Sequence, residues 1–525
     1  MLGQWSAKRS QWWLPVLSGI FIGTSYIPFP PWASLFCFVP LWLFWQLQQR
    51  LKTVVLSGVL TSFIYTLIGF NWVTFTLHEF AKVNWFVAGI GMMIFALIGH
   101  LFVPIAGMLW FWSRRCCSSA TWLSFALMAT FTALAEFYVP MLFKWNFGYS
   151  WYGADLPVYQ WAELIGFTGL SMLTIFANLF MLFIWQHKTR RVGQLGFVVI
   201  LLIFTGLNLG GIWLKNRLPE PDASFTALLV QANIGNMEKQ SMEHGKGFRG
   251  EILKKYLQTT ADGLQKNPGV DFVMWSETAF PYFLGGDFND SVFFHTLQAF
   301  LSEHQVALLT GAYGKNDADL ITNSLFAIDQ QGTVTEPHYS KTILLALGEY
   351  IPGEDRFPWL KTMLPMVSHF GRGPGPTVLL KLKDYAMGPQ ICYESLFPEF
   401  SKGLADIGAQ FIVNVTNDSW YGGWQEPYQH LYMTLARGVE FRRPVLRVTN
   451  TGISTVSLAD GEVLALSPID ANWSDAYQVP YQTQPQATFY QRHFDLMTWL
   501  LWSVLLGLLG FGIWHTHRPM IPTAQ

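Results

Sequence analysis

The sequence predicts an α-helical membrane protein with eight transmembrane helices that carries one soluble α/β domain. Three observations predict it. Hydrophobic residues make up 51% of the 525 and charged residues only 13%, about half the roughly 25% usual in a soluble domain. The 67 charges (33 Lys and Arg, 34 Asp and Glu) are unevenly placed: 51 lie in the 281 residues 215–495, and the other 244 residues hold 16. Within 215–495, short β-rich runs alternate with polar helical runs, the pattern of a layered α/β domain. A net charge of −1 gives no bulk electrostatic case for nucleic acid.

A spanning helix needs about 20 mostly apolar residues. Segments 12–27, 32–47, 54–74, 85–111, 121–138, 164–185, 195–214 and 496–514 are the candidates. Pro28, Pro30 and Pro31 join the first two, which are short. No Ala-x-Ala-like cleavage site follows the first, so it reads as a retained span rather than a signal peptide. This gives three parts: spans one to seven in 1–214, a soluble domain in 215–495, and span eight with a tail in 496–525.

Basic residues orient the spans. With the N-terminus in the cytoplasm, the inner segments hold Lys8, Arg9, Arg50, Lys52, Arg114, Arg115, Lys188, Arg190, Arg191 and Arg518, whereas the short outer loops hold only Lys82 and Lys144. Both termini are then cytoplasmic and 215–495 lies outside. His100 and Glu136 are ionisable groups in apolar segments and candidates for function by default. No relay of further charges accompanies them, and Glu136 reads as reaching the interface. Trp145, Trp151 and Tyr152 fit an outer aromatic belt.

In the charged region the predicted strands are 226–231, 272–275, 307–310, 324–328, 378–382, 386–392, 411–415, 445–449 and 455–458. The predicted helices are 251–266, 291–304, 398–407 and 427–441. Three stretches carry chemistry. Val273-Met-Trp-Ser-Glu277 is an apolar strand ending in a carboxylate. His338-Tyr-Ser-Lys341 is followed eight residues on by Glu349. Pro389-Gln-Ile-Cys392-Tyr393-Glu394 is an apolar strand ending in a thiol and a carboxylate. Cys37, Cys116 and Cys117 fall in or beside apolar segments, so Cys392 has no disulfide partner within its domain. It reads either as an inert core thiol or as a nucleophile.

Nucleophile, base and cation together suffice for acyl transfer through a thioester. A thiol of ordinary pKa, about 8.5, is mostly protonated at neutral pH. Glu277 is placed to take its proton, and apolar walls around that carboxylate would make it a better base. Lys341 would favour thiolate and hold the oxyanion of the tetrahedral intermediate, with a backbone N–H near Cys392 as a second donor. Glu349 would keep Lys341 charged and oriented.

In these contexts Glu277, Lys341 and Cys392 resemble the Glu-Lys-Cys triad of the nitrilase superfamily, which implies a four-layer α-β-β-α sandwich. With its eight-span frame, the whole chain resembles the membrane-embedded apolipoprotein N-acyltransferase family. Trp275-Ser-Glu-Thr-Ala, Gly348-Glu-Tyr-Ile-Pro, Ile391-Cys-Tyr-Glu, the run from Val413 to Gly422, and Arg437 with Arg447-Val-Thr-Asn-Thr-Gly452 carry the resemblance. It implies transfer of an acyl chain from a membrane phospholipid to Cys392. The chain then passes to the α-amine of a diacylglyceryl-cysteine that begins an apolipoprotein. The implied location is a bacterial inner membrane with a periplasmic catalytic domain, and no cofactor or metal is implied. By position, Cys392 is nucleophile, Glu277 base, Lys341 oxyanion stabiliser and Glu349 its support. Tyr393 and Glu394 shape the substrate site, and Trp420 and Tyr421 are wall or lipid contacts.

Two positions depart from the family. Gln231-Ala-Asn-Ile234 is followed by Lys239-Gln240 where an aromatic is usual, and Gln390 stands where an apolar residue is usual. Two other functions compete: a membrane-tethered amidohydrolase in which water deacylates the thioester, and a transporter with an accessory domain. Eight spans exceed what an anchor needs, and paired intramembrane charges and repeated halves are not evident. The apolar segment 359–367, beside the Gly/Pro-rich loop 371–376, reads either as a short core helix or as a mobile arm on lipid.

Overall fold

The computed structural model describes residues 11–114, 121–141, 143–144, 146–235, 248–346, 348–363 and 367–517. Lys8, Arg9, Arg115, Cys116, Cys117, Trp145, Lys239, Gln240 and Arg518 lie outside the described residues. The chain forms two compact units: Met1–His78 with Lys82–Asn216 and His493–Gln525, and Glu79–Ala81 with Arg217–Arg492.

The first unit is helical. Among the described residues five stretches are long and apolar enough to cross a membrane: Leu51–Gly69, Trp85–Ser113, Pro157–Gln186, Arg191–Asn216 and Leu496–Thr516. They fall on the expected third, fourth, sixth, seventh and eighth spans. The expected first and second spans contain helices of only 11 and 8 residues, Trp13–Gly23 and Val39–Gln46. Pro28, Pro30 and Pro31 lie between them and remove the N–H groups a continuous helix needs. The fifth is an 18-residue helix, Thr121–Tyr138. Glu136 does not reach out to an interface. It is buried, and its Oε2 accepts from Ser171 Oγ at 2.6 Å. His100 is also buried, its Nδ1 2.9 Å from Thr66 Oγ1.

The second unit is an α/β sandwich. Its strands are β1 Ala223–Gln231, β2 Phe272–Trp275, β3 Ala307–Lys315, β4 Ile321–Ile328, β5 Val334–Ser340, β6 Leu380–Leu382, β7 Tyr385–Ile391, β8 Phe411–Thr416, β9 Val445–Thr449, β10 Thr455–Ser457 and β11 Trp473–Tyr481. One sheet has the order β11-β1-β2-β3-β4-β5, the other β10-β9-β8-β7-β6. Helices α1 Arg249–Lys266, α2 Val292–His304, α3 Pro398–Asp406 and α4 Glu426–Phe441 complete it.

Side chains alternate between the faces of a strand, and that sorts this unit into layers. Phe225, Ala227 and Leu229 of β1 meet Phe411, Val413 and Val415 of β8 in the core between the sheets. Phe225 and Phe411 rings stand 4.5 Å apart. The alternate residues Leu228 and Val230 face Ile252, Leu253 and Tyr256 of α1. Beyond the second sheet, Gly388 of β7 lies against Leu404 of α3, and Arg447 of β9 bonds Thr434 of α4. The order is helix, sheet, sheet, helix.

Local sequence explains the ends of the helices. Ser291 caps α2 by accepting from Phe294 N at 3.2 Å. Helix α4 opens with Glu426 and Pro427, suited to a helix N-terminus. It stops at Arg442 in left-handed backbone, φ 51°, ahead of Pro444.

Candidate active site

Three strand ends deliver the chemistry. Glu277 stands two residues beyond β2, Lys341 one beyond β5, and Cys392 directly after β7. The first two belong to the larger sheet and Cys392 to the smaller. Gly311 in β3 lets the Glu277 segment lie close: a Cβ there would meet Thr278 N at 2.5 Å and Glu277 Cα at 2.7 Å. Lys341 N donates to Asn323 O at 2.8 Å, extending the β4–β5 pairing to the lysine.

All three side chains are buried: 6% of Glu277, 1% of Lys341 and 7% of Cys392 is exposed, so their charges act on one another with little screening. Lys341 Nζ donates to Glu349 Oε1 at 2.9 Å and to Glu277 Oε1 at 3.3 Å. Asn323 Nδ2 donates to the same two oxygens, at 2.6 Å to Glu277 and 3.2 Å to Glu349. Glu349 Oε2 accepts from Leu345 N at 2.8 Å, which anchors its loop. The surroundings of Glu277 therefore differ from the apolar walls expected, because an amide and an ammonium share one of its oxygens. Asn323 was not singled out in the sequence. It lies in a strand pattern and bears no charge, so no local signal marked it.

Burial works against the Lys341 ammonium, but the carboxylates of Glu277 and Glu349 and the Cys392 sulfur outweigh it and hold its pKa well above the ordinary value. The Cys392 thiol is pushed up, first by burial and then by the Glu277 charge; Lys341 opposes and Asp418 reinforces this. Burial and the Glu277 charge both favour the protonated thiol. The Cys392 backbone is left-handed, φ 52°, a conformation that costs a non-glycine residue about 1–3 kcal/mol. The turn Cys392–Leu396 follows at once.

Glu394 holds that turn. Its Oε1 accepts from Tyr339 Oη at 2.6 Å, Thr342 N at 2.6 Å and Ile343 N at 3.1 Å, and its Oε2 from Ile391 N at 2.9 Å. Burial, opposed by these bonds, raises its pKa to about 7. It therefore ties the strand ends bearing Lys341 and Cys392 together. Tyr393 is partly exposed, its ring 5.2 Å from that of Phe397. Tyr421 is buried, and burial, then the charges of Cys392, Glu426 and Asp418, raise its phenol pKa. Trp420 is partly exposed.

A second buried cluster also acts on Cys392. Arg447 donates through Nη2 to Asp418 Oδ2 at 2.8 Å, and through Nη1 to Asn414 Oδ1 at 2.9 Å and Thr434 Oγ1 at 3.0 Å. Thr416 Oγ1 donates to Asp418 Oδ1 at 3.2 Å, and the same hydroxyl lies near the Cys392 sulfur. His430 Nδ1 lies 3.0 Å from Asp418 Oδ1 and 3.4 Å from Glu426 Oε1. Burial notwithstanding, Arg447 and His430 lower the Asp418 pKa to about 2. Burial and the Asp418 charge raise that of Glu426 to about 7. Asp418, Glu426 and His430 have the donor types and spacing to hold a metal ion. Arg447 Nη2 already partners Asp418, and His430 Nδ1 lies within reach of both carboxylates.

Of the segment 359–367, Leu360–Met363 forms one helical turn and residues 364–366 lie outside the described residues. Trp359 is 58% and Phe357 47% exposed, so these residues are not core.

This two-sheet fold with its buried acid, lysine and thiol defines a class, and a carbon-nitrogen hydrolase family model matches residues 226–472. A second model, the apolipoprotein N-acyltransferase N-terminal domain, matches residues 18–180. The chain is 40% identical over 508 residues to an apolipoprotein N-acyltransferase of Bdellovibrio bacteriovorus, covering 94% of this chain and 92% of that protein. It is 26% identical over 501 residues to one of Geobacter metallireducens, covering 94% and 93%. The chain belongs to the apolipoprotein N-acyltransferase family. Among solved structures it is similar to a carbon-nitrogen hydrolase from Helicobacter pylori, with 16% identity, TM-score 0.35, and coverage of 54% of this chain and 94% of that one.

Proposed function

We propose that the protein transfers an acyl chain from a membrane phospholipid to the α-amine of a diacylglyceryl-cysteine beginning an apolipoprotein, in two steps through a thioester on Cys392. In the first step the thiol proton passes to the Glu277 carboxylate as sulfur attacks the ester carbonyl. Lys341 holds the oxyanion. The ester C–O bond breaks, and the lysophospholipid oxygen leaves with the proton from Glu277. In the second, the lipoprotein amine attacks the thioester and gives its proton to Glu277. The C–S bond breaks, and the sulfur recovers that proton. Glu349 positions Lys341, Glu394 fixes the strand ends, and Tyr393, Trp420 and Tyr421 bound the acyl site. The observation that carries this reading is the buried Lys341 ammonium bridging Glu277 and Glu349 within the field of the only described thiol of its unit.

Eight spans complete the proposal: residues 1–214 carry seven, 215–495 form a periplasmic catalytic domain, and 496–525 carry the eighth. Both termini are cytoplasmic in a bacterial inner membrane. A reporter active only outside the cytoplasm should work when inserted at 317–319 and fail at the C-terminus; the reverse pattern overturns the orientation. The exposed Phe357 and Trp359 form a lipid-contacting arm. Trp359→Ala should slow acylation from vesicles while sparing alkylation of Cys392 by a small soluble reagent, and equal losses would refute the arm.

The chemistry is tested by intact-mass measurement of the full chain after mixing with a defined phospholipid. The expected result is a gain of one acyl chain, removed by hydroxylamine and absent in Cys392→Ser. An unmodified wild-type chain, or an acylated Cys392→Ser chain, refutes the thioester.

A further inference from the structure

The helical unit contains a cavity of about 980 Å³ among the helices Thr121–Tyr138, Ala162–Gln186 and Arg191–Asn216. Its walls are apolar, with Trp122, Phe125, Phe180, Leu195, Val199 and Ile203 among them. The cause lies in how Arg191–Asn216 is held. Near its C-terminal end it is pinned: a Cβ on Gly211 would meet Pro157 O at 1.9 Å, Trp161 Nε1 donates to Leu207 O at 2.8 Å, and Val158 N donates to Asn208 Oδ1 at 3.2 Å. Over the rest of its length only Gly193 is buried. Toward its N-terminal end Gly196 lies against Ala162–Gln186, where a Cβ would meet Ile184 Cγ1 at 3.0 Å, so the gap opens between this contact and the pinned end. The lining runs from Val192 to Leu207, about 22 Å of helix at 1.5 Å per residue.

One end of this groove is basic. His187 lines it, and the turn bearing His187 continues through Lys188, Arg190 and Arg191, all exposed. Lys188 Nζ sits 3.9 Å above the Trp185 ring. The sequence holds no Asp or Glu between Glu163 and Glu220, so nothing nearby on these helices offsets the charge.

We infer that this groove binds one phospholipid with an anionic head group, its acyl chains along the apolar walls and its head group on Lys188, Arg190 and Arg191. Apolar length supplies affinity for any lipid, and basic pockets between membrane helices select anionic head groups. The lipid is a resident one rather than the acyl donor, because its binding uses no part of the Cys392 site. It fills the gap beneath the helix that leads directly into the α/β unit at Arg217.

The test is native mass spectrometry of the full chain in detergent, exchanged against phosphatidylglycerol or phosphatidylcholine. The wild type should retain one phosphatidylglycerol and little phosphatidylcholine. Lys188→Gln/Arg190→Gln/Arg191→Gln, which alters exposed side chains only, should bind phosphatidylglycerol on the order of 100-fold more weakly. Val199→Trp, which fills the groove, should lose both lipids, and Cys392→Ser should bind as the wild type does. Equal retention of the two lipids by the wild type, or undiminished phosphatidylglycerol on the triple variant, overturns the head-group site. Undiminished lipid on Val199→Trp overturns the groove. Failure of thioester formation leaves all of these readouts in place, so the two proposals stand or fall separately.

Discussion

Lys341 with Glu277, Glu349 and Asn323 forms one buried cluster of charge acting on Cys392; Arg447 with Asp418, His430 and Glu426 forms another. The first is built around an ammonium. Among the described residues its hydrogen bonds to Glu277 and Glu349 use two of three N–H groups, and in the proposed reaction the third meets the oxyanion. The second is built around a guanidinium whose bonds go to Asn414 of β8, Thr434 of α4 and Asp418. A rigid fork of donors suits joining a helix to a sheet, whereas a compact point charge suits following a reaction. The comparison teaches that equal burial of charge does not mean equal duty.

The largest expected effect separates the two. Lys341→Met should reduce thioester formation by about 10²–10³ or more, the usual loss when an oxyanion donor is removed. Arg447→Met should cost about 3–5 kcal/mol of stability by leaving Asp418 buried without its partner. Its folded fraction should still acylate within about tenfold of the wild type, since Arg447 touches no reacting atom. Thermal midpoint and burst amplitude, measured on both variants, decide the matter. Equal acylation defects at unchanged stability would collapse the distinction.

A smaller effect follows from the titration of the thiol. Glu277 and Asp418 both raise the Cys392 pKa, Glu277 more strongly, and Lys341 lowers it. Removing a negative charge stabilises the thiolate, so Glu277→Gln should move the alkylation pH profile of Cys392 to lower pH. Asp418→Asn should move it the same way by less, and Lys341→Met to higher pH. Glu277→Gln should therefore have a more readily ionised thiol and yet lose about 10²–10⁴ in acyl transfer, because the base is gone. A profile that moves upward in Glu277→Gln contradicts the assignment.

The residues in these two clusters were not equally legible. Glu277, Lys341 and Cys392 end recognisable runs, and each has a side chain that announces chemistry. Asn323 and Thr416 lie within strands, and only the folded pairing of β4 with β5 and of β7 with β8 brings them to the site. Strands followed the same logic. The nine predicted strands correspond to observed ones, because central strands here are apolar on both faces. Strands β5 and β11 were missed. They are the two edges of the larger sheet, contain Pro337 and Pro480, and have polar residues on their solvent side. The edges of the smaller sheet, β6 and β10, were predicted because Leu380, Leu382 and Val456 are buried apolar residues, so it is the polar, proline-bearing edges that hide from the pattern.

Gln390, one of the two departures from the family pattern, gives the finest test of which face of the smaller sheet is chemical. It precedes Ile391, which faces the core between the sheets, so its own side chain points to the helical side. There its Nε2 donates to Ser401 Oγ of α3 at 2.6 Å, while among the described residues its buried Oε1 has no hydrogen-bond partner. The bond ties β7 to α3 and is worth about 1 kcal/mol, whereas the unpartnered oxygen costs a similar amount. Gln390→Leu should therefore change stability by less than about 1 kcal/mol, and Gln390→Leu with Ser401→Ala should be closer still to the wild type. Acylation of Cys392 should stay within about twofold in both, because the side chain lies across the sheet from the core into which Cys392 packs. If Gln390→Leu keeps its thermal midpoint but loses acylation, the outer face of β7 takes part in the chemistry, and the second cluster of charge would have to be reassigned from scaffold to active site.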